Sequence, residues 1–279
     1  MTAPLAAASV ETWSGKGRTD ENFPVGSVLV SRALRPHVHA FYNFARNADD
    51  ISDSSDLPAD DKLARLQTME DVLLGRSDAG SPSAAALRGS LAETGVTSRH
   101  SVDLLQAFRQ DATKLRYASW GELLDYCRLS AMPVGRHVLD LHGEDPATYA
   151  PSDPLCAALQ VLNHLQDCGK DLRALDRSYL PDDWLREEGA AVADVLAPAA
   201  SPGLRRVFDR MLDATDALNA HGADLPGAVR NRRLRMETAV IVGLSRRLAR
   251  RLRSGDPVAT RVKLRRVDVA GALVGALTS

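Results

Sequence analysis

From about residue 25 onward, apolar residues recur at three- and four-residue intervals, and alternating period-two runs bounded by turn residues are scarce. The pattern predicts helices over about 34–53, 60–75, 82–94, 99–116, 119–142, 152–174, 203–221, 227–253 and 257–276. Breaks fall where glycine and proline gather, at 75–82, 95, 143–154, 181, 198–202, 222–226 and 255–257. Connections are short and no repeat period stands out. The expectation is all-α: one compact domain, residues 21–279, behind a disordered leader, residues 1–20, rich in Ala, Ser, Thr and Gly.

Two of these helices carry an acidic stripe on an otherwise apolar body. In the first, Asp49 and Asp53 are four positions apart and share a face, roughly 6 Å apart at Cβ. At about 100° per residue, Tyr42, Arg46, Asp49 and Asp53 fall within roughly 60°, while Phe41, Phe44, Ala45, Ala48 and Ile51 take other sectors. In the second, Asn163, Asp167 and Asp171 fall within roughly 80°, with Leu155, Leu159 and Leu162 to one side and Val161, Leu165 and Leu172 nearly opposite.

A helix that is apolar round most of its circumference is buried. Its charged stripe then faces an internal wet cavity or a bound ion, because unpaired buried carboxylates are too costly. Such pairs suit Mg²⁺, which takes few carboxylates, keeps waters and completes its shell with phosphate oxygens. His and Cys are absent at ligand spacing, which makes zinc a poor fit. Asp50 and Ser52 read as ordinary end-of-helix positions. Arg46, one turn from Asp49, is either a fork for a phosphate oxygen or an intrahelical partner of Asp49 or Asp50.

The formal net charge is −1, from 35 basic and 36 acidic residues, which leaves no footprint for a nucleic-acid partner. Basic residues gather at Arg230, Arg232, Arg233 and Arg235, and again at Arg246, Arg247, Arg250, Arg251 and Arg253. That run is either a solvated helix face or a patch for anionic lipid headgroups. Cys127, Cys156 and Cys168 form no CxxC and read as buried free thiols in a reducing cytosol. No signal peptide and no run of about 18 apolar residues is read. The expected location is therefore cytoplasmic, with peripheral contact at the inner face of the membrane. No GxGxxG sits at a strand-to-helix turn, so no nicotinamide fold is visible.

The residues at the two stripes resemble the squalene/phytoene synthase family, the head-to-head prenyl synthases. The first motif is Tyr42-Asn43-Phe44-Ala45-Arg46-Asn47-Ala48-Asp49-Asp50-Ile51-Ser52-Asp53, and the second is Asn163, Asp167 and Asp171 at four-residue spacing. Downstream, Asp171-Leu172-Arg173 and Arg177-Ser178-Tyr179-Leu180-Pro181 match the family's acidic-then-basic stretch ending in YLP. Within the family the chain is similar to the bacterial hydroxysqualene synthases of the hopanoid pathway. The narrower likeness rests on Glu21 to Val25, Arg35 to Val38, Phe108 to Asp111 with Lys114, Arg116 and Tyr117, Tyr126 to Gly135, and Leu162 to Cys168. Gln166 stands where several other head-to-head synthases carry an arginine, which removes one positive charge from the diphosphate site.

The resemblance implies an isoprenoid-synthase-type helical bundle around a central cavity. It also implies ionisation of presqualene diphosphate, loss of pyrophosphate, rearrangement of the cation and capture by water. Asp49, Asp53, Asp167 and Asp171, with Asn163 as a neutral donor, are the implied ligands for two or three Mg²⁺, and no NADPH is expected. Arg46, Gln166, Arg173 and Arg177 would line the diphosphate, although Arg177 falls in a loop where an exposed arginine is common. Tyr42, Phe41, Phe44, Tyr117, Tyr126 and Tyr179 are candidates for the isoprenoid cavity, with core packing as the alternative. A kink at Met132-Pro133 either makes room for the isoprenoid tail or is simple structural accommodation. His137 and His142 receive no role. Association with neighbouring pathway enzymes is a further expectation. The rival readings are presqualene diphosphate, squalene or phytoene synthesis from two prenyl diphosphates, and a non-catalytic assembly-factor relative.

Overall fold

The computed structural model describes residues 9–11 and 30–278. These group into two compact units, 1–113 and 114–279. The leader and the Glu21–Val25 motif fall outside the described residues, apart from 9–11. Those three residues are tied down: the Val10 N–H donates to the Gly80 carbonyl at 2.8 Å, and Glu11 Oε1 accepts from Ser81 Oγ at 2.7 Å. Every regular element among the described residues is helical, and Tyr117 and Pro181 form an isolated bridge.

The first unit holds α1 (Arg35–Asp53), α2 (Ala59–Leu73), α3 (Pro82–Thr94) and α4 (Arg99–Asp111). Helix α1 packs against the other three. Phe44, Ala48 and Ile51 of α1 meet a core that contains Leu66, Met69, Leu87 and Leu105, all fully buried. Each large side chain withdrawn from water in this way contributes about 1.5–3 kcal/mol. Ser81 caps α3 by accepting from the Ala84 N–H, with Pro82 just inside the helix, and Gly95 ends it at φ 72°. Helix α4 stops at Asp111, short of the predicted 116.

The second unit holds α5 (Trp120–Ser130), α6 (Met132–Leu141), α7 (Tyr149–Leu175), α8 (Asp182–Glu187), α9 (Pro202–Gly222), α10 (Leu225–Ala228), α11 (Arg232–Ser254) and α12 (Arg266–Thr278). Its N-terminal segment is spoken for by backbone pairing: the Ser178 and Asp182 N–H groups donate to the Leu115 and Tyr117 carbonyls, each at 2.9 Å. Helix α7 packs against α5, α6, α9 and α11. Around it, Leu139, Leu155, Leu225, Val229, Leu234 and Val242 form one apolar cluster.

Other predicted boundaries also differ from the structure, the helix over 227–253 among them, which is divided between α10 and α11. The single helix over 119–142 is two helices, broken at Ala131 (φ −120°, ψ −46°). Pro133 then sits in the first turn of α6, where its missing N–H costs nothing. Gly135 lets α6 and α7 touch, since a Cβ there would lie 2.6 Å from Cys156 Sγ and Ser152 Oγ. Helix α7 starts at Tyr149 and runs through Pro154 without ending. The last helix begins at Arg266, because residues 256–265 leave helical geometry to cross α7. No helix among the described residues is long and apolar enough to span a membrane.

Candidate active site

On α1 the stripe is partly exposed while its flanks are core. Tyr42, Arg46, Asp49 and Asp53 lie at intermediate burial, and Phe41 and Phe44 are buried in the first unit. Arg46 Nη1 bonds Asp49 Oδ2 at 3.1 Å, and its Nε lies 3.4 Å from Asp50 Oδ1. Arg46 takes the intrahelical alternative. Asp50 and Ser52, read as ordinary end-of-helix positions, are buried instead. The Ser52 carbonyl at the helix end accepts from Lys62 Nζ at 2.9 Å.

One residue of this half was missed. Asp111, buried at the end of α4, adds its charge to those of Asp50 and Asp53 around Asp49. Desolvation first, then Asp53, pushes the Asp49 carboxyl from 3.8 up to about 8 against the opposing pull of Arg46. A site with that surplus of negative charge fits a cation. The signal for Asp111 was present in the Phe108-Arg109-Gln110-Asp111 string, but nothing local ties that string to α1.

On α7, Asn163, Asp167 and Asp171 lie at intermediate burial, as the stripe requires. Asp167 already holds a cation of the protein's own: Arg261 Nε lies 2.6 Å from its Oδ1, and Arg261 Nη2 donates to Oδ2 at 2.8 Å. Gln166 is buried and donates its Nε2 to the Val262 carbonyl at 2.6 Å. Arg173 is exposed. Arg177, expected in an exposed loop, is only 5 % exposed and donates Nη1 to Tyr179 Oη at 3.3 Å.

Tyr126 and Tyr179 belong to an aromatic nest with Tyr117 and His164. The His164 ring stacks on Tyr179 at 3.5 Å between centroids, and the tyrosine rings lie 5.4 Å apart pairwise. Burial first, then Arg177, depresses the His164 imidazole to about 3, so it is neutral here. Burial also raises the Cys127 and Cys168 thiols to about 12 and Cys156 to about 11, which leaves all three as inert thiols.

Among the described residues no three His, Cys, Asp or Glu side chains gather into a metal cage. Mg²⁺ is ordinarily held by one or two carboxylates together with substrate phosphates, so pairs rather than cages are the fitting donor set. The crowded carboxylates on α1 and Asp167 on α7, whose buried Oδ1 accepts no hydrogen bond, are of that kind.

The sequence profile of the squalene/phytoene synthase family matches residues 16–268. The chain belongs to this family. It is an enzyme family of prenyl-transferase type that acts on prenyl diphosphates and generally uses a divalent metal. The hydroxysqualene synthase of Rhodopseudomonas palustris is 46% identical over 269 residues, spanning 96% of this chain and 92% of that protein. The hydroxysqualene synthase of Sinorhizobium fredii is 42% identical over 260 residues, spanning 93% and 89%. A squalene synthase structure from Alicyclobacillus acidocaldarius superposes with a TM-score of 0.74 at 33% identity, covering 85% of this chain and 90% of that one. A dehydrosqualene synthase structure has the same fold, with a TM-score of 0.79 at 21% identity over 93% and 91% of the two chains.

Proposed function

We propose that this protein is a Mg²⁺-dependent hydroxysqualene synthase. It ionises presqualene diphosphate with loss of pyrophosphate, lets the cation rearrange, and closes the reaction by water capture. The observation that carries this reading is 46% identity over 96% of the chain to a protein of that activity. Both acidic motifs are intact beside it.

Asp49 and Asp53 of α1, with Asn163, Asp167 and Asp171 of α7, would hold the cations. When bound, these supply Lewis-acid neutralisation of the departing diphosphate. The remaining work falls to the chain. Arg46 can leave Asp50 to bond a phosphate oxygen, and the exposed Arg173 can approach another. Tyr42, Tyr126 and Tyr179 offer aromatic faces that spread positive charge. Burial of the Tyr126 and Tyr179 nest restricts where water can reach a cation.

Purified protein given farnesyl diphosphate alone, or presqualene diphosphate alone, separates the readings. The hydroxysqualene assignment predicts consumption of the second and not the first. Robust consumption of farnesyl diphosphate would overturn it. The second reading is squalene synthesis, favoured by the Alicyclobacillus neighbour; it predicts a hydrocarbon product once a hydride donor is added.

Peripheral membrane contact is assigned to α12 rather than to the arginine run of α11. Arg251 pairs with Asp268, Arg253 with Asp213 and Asp216, and Arg247 donates to the Gly243 carbonyl. Helix α12 exposes Val267 at 70%, Val274 at 62% and Leu277 at 71%, directly after the exposed cations Lys263, Arg265 and Arg266. Apolar exposure flanked by basic residues fits an anionic bilayer surface.

A further inference from the structure

Residues 256–265 form a strap tied to the second unit at both ends. At its start, Asp256 Oδ2 accepts from the Ala200 N–H at 2.9 Å, and Arg205 Nη1 donates to the Gly255 carbonyl at 3.0 Å. At its finish, Asp268 Oδ2 accepts from the Arg265 N–H at 2.7 Å and pairs with Arg251. Midway the strap crosses α7 at the second acidic motif. There two consecutive strap residues meet two consecutive helix residues: Val262 through its carbonyl on Gln166, and Arg261 through its guanidinium on Asp167.

The two contacts differ in kind. Gln166 is 4 % exposed, and its bond to a backbone carbonyl fixes where the strap runs. Arg261 is 40 % exposed in its side chain; it donates Nη2 to Asp167 Oδ2 and sets Nε 2.6 Å from Oδ1 as an ion pair, an oxygen that is buried and accepts no hydrogen bond. A charge-assisted hydrogen bond from a guanidinium to a carboxylate is a strong pairing. A divalent cation that takes Asp167 must compete with that guanidinium, whose charge stands 2.6 Å from Oδ1 and whose Nη2 holds Oδ2.

We propose that Gln166 is a positioning residue that seats the strap, and that Arg261 is the resident counter-ion which Asp167 exchanges for the divalent cation. The exchange half rests on the reading of Asp167 as a metal ligand given above; the seating half does not. The pairing keeps Asp167 from standing as an uncompensated, largely buried anion before substrate arrives. It also sets a threshold: cation binding without diphosphate is weak, because it competes with a tethered guanidinium.

Two measurements on diphosphate-free protein test this. In hydrogen exchange, Gln166→Met keeps the buried volume and removes the donor, and it should speed exchange of the strap amides about tenfold while α7 is unchanged. In Mn²⁺ titration followed by electron paramagnetic resonance, Arg261→Gln should tighten binding about tenfold. Gln166→Met should tighten it less, and the double variant no further than Arg261→Gln alone, since both act by one route. Arg261→Lys, which keeps the charge on a shorter, single-nitrogen head, should fall between. Unchanged strap exchange in Gln166→Met would overturn the seating role. Unchanged or weaker Mn²⁺ binding in Arg261→Gln would overturn the counter-ion role. If no variant binds Mn²⁺ even with inorganic pyrophosphate present, the ligand reading of Asp167 itself fails, and the exchange data still decide the role of Gln166.

Discussion

Arg46 faces Asp49 and Asp50 at once, and one guanidinium cannot balance two carboxylates with Asp53 and Asp111 beside them. The raised Asp49 carboxyl, about 8 in place of 3.8, has a stability consequence in the metal-free protein. Between those values the folded state binds the proton more tightly than the unfolded chain. Stability therefore falls as pH rises through this window, and the loss is complete above the folded value. Asp49→Asn removes that dependence. Calorimetry should show the variant melting well above wild type at pH 9, with the gap narrowing steadily as pH falls and closing near pH 4, at about 2–4 °C per kcal/mol. An equal difference at pH 9 and pH 4 would contradict this charge balance. Turnover should fall about 100-fold or more in Asp49→Asn and in Asp167→Asn with folding intact, measured as pyrophosphate release. Unchanged turnover in either variant would remove its aspartate from the site.

At the scale of the helix, α1 and α7 were legible because each signal is local. Their apolar periodicity is unbroken, and their stripes depend on residues one turn apart. The strap was not legible, because Gln166 and Val262 are 96 positions apart and no pattern within 257–276 announces a partner on α7. The burial of Arg177 against Tyr179 has the same origin in tertiary packing. The break at Ala131 was half legible: Pro133 marks an interruption, but whether a helix kinks or restarts is set by its neighbours. The α6–α7 contact makes one test of that packing. Gly135→Ala places a methyl against Cys156 and Ser152 and should cost about 1–3 kcal/mol in chemical denaturation. For α12, Val267→Glu with Leu277→Glu should leave melting unchanged and remove sedimentation with phosphatidylglycerol vesicles. Wild-type binding should weaken in about 0.5 M salt. Vesicle binding indifferent to lipid charge and to these substitutions would refute the assignment.

For the whole molecule, family membership was readable from two motifs in order. The reaction turns on what quenches the final cation. A hydride donor gives a hydrocarbon, proton loss gives a further alkene, and water gives an alcohol. The most direct measurement is turnover of presqualene diphosphate as sole substrate, with Mg²⁺ and no nicotinamide, in ¹⁸O-labelled water, with the product read by mass spectrometry. The account predicts pyrophosphate release and hydroxysqualene carrying one ¹⁸O atom. Presqualene diphosphate left unconsumed, or turned over to a product without the label, would contradict it.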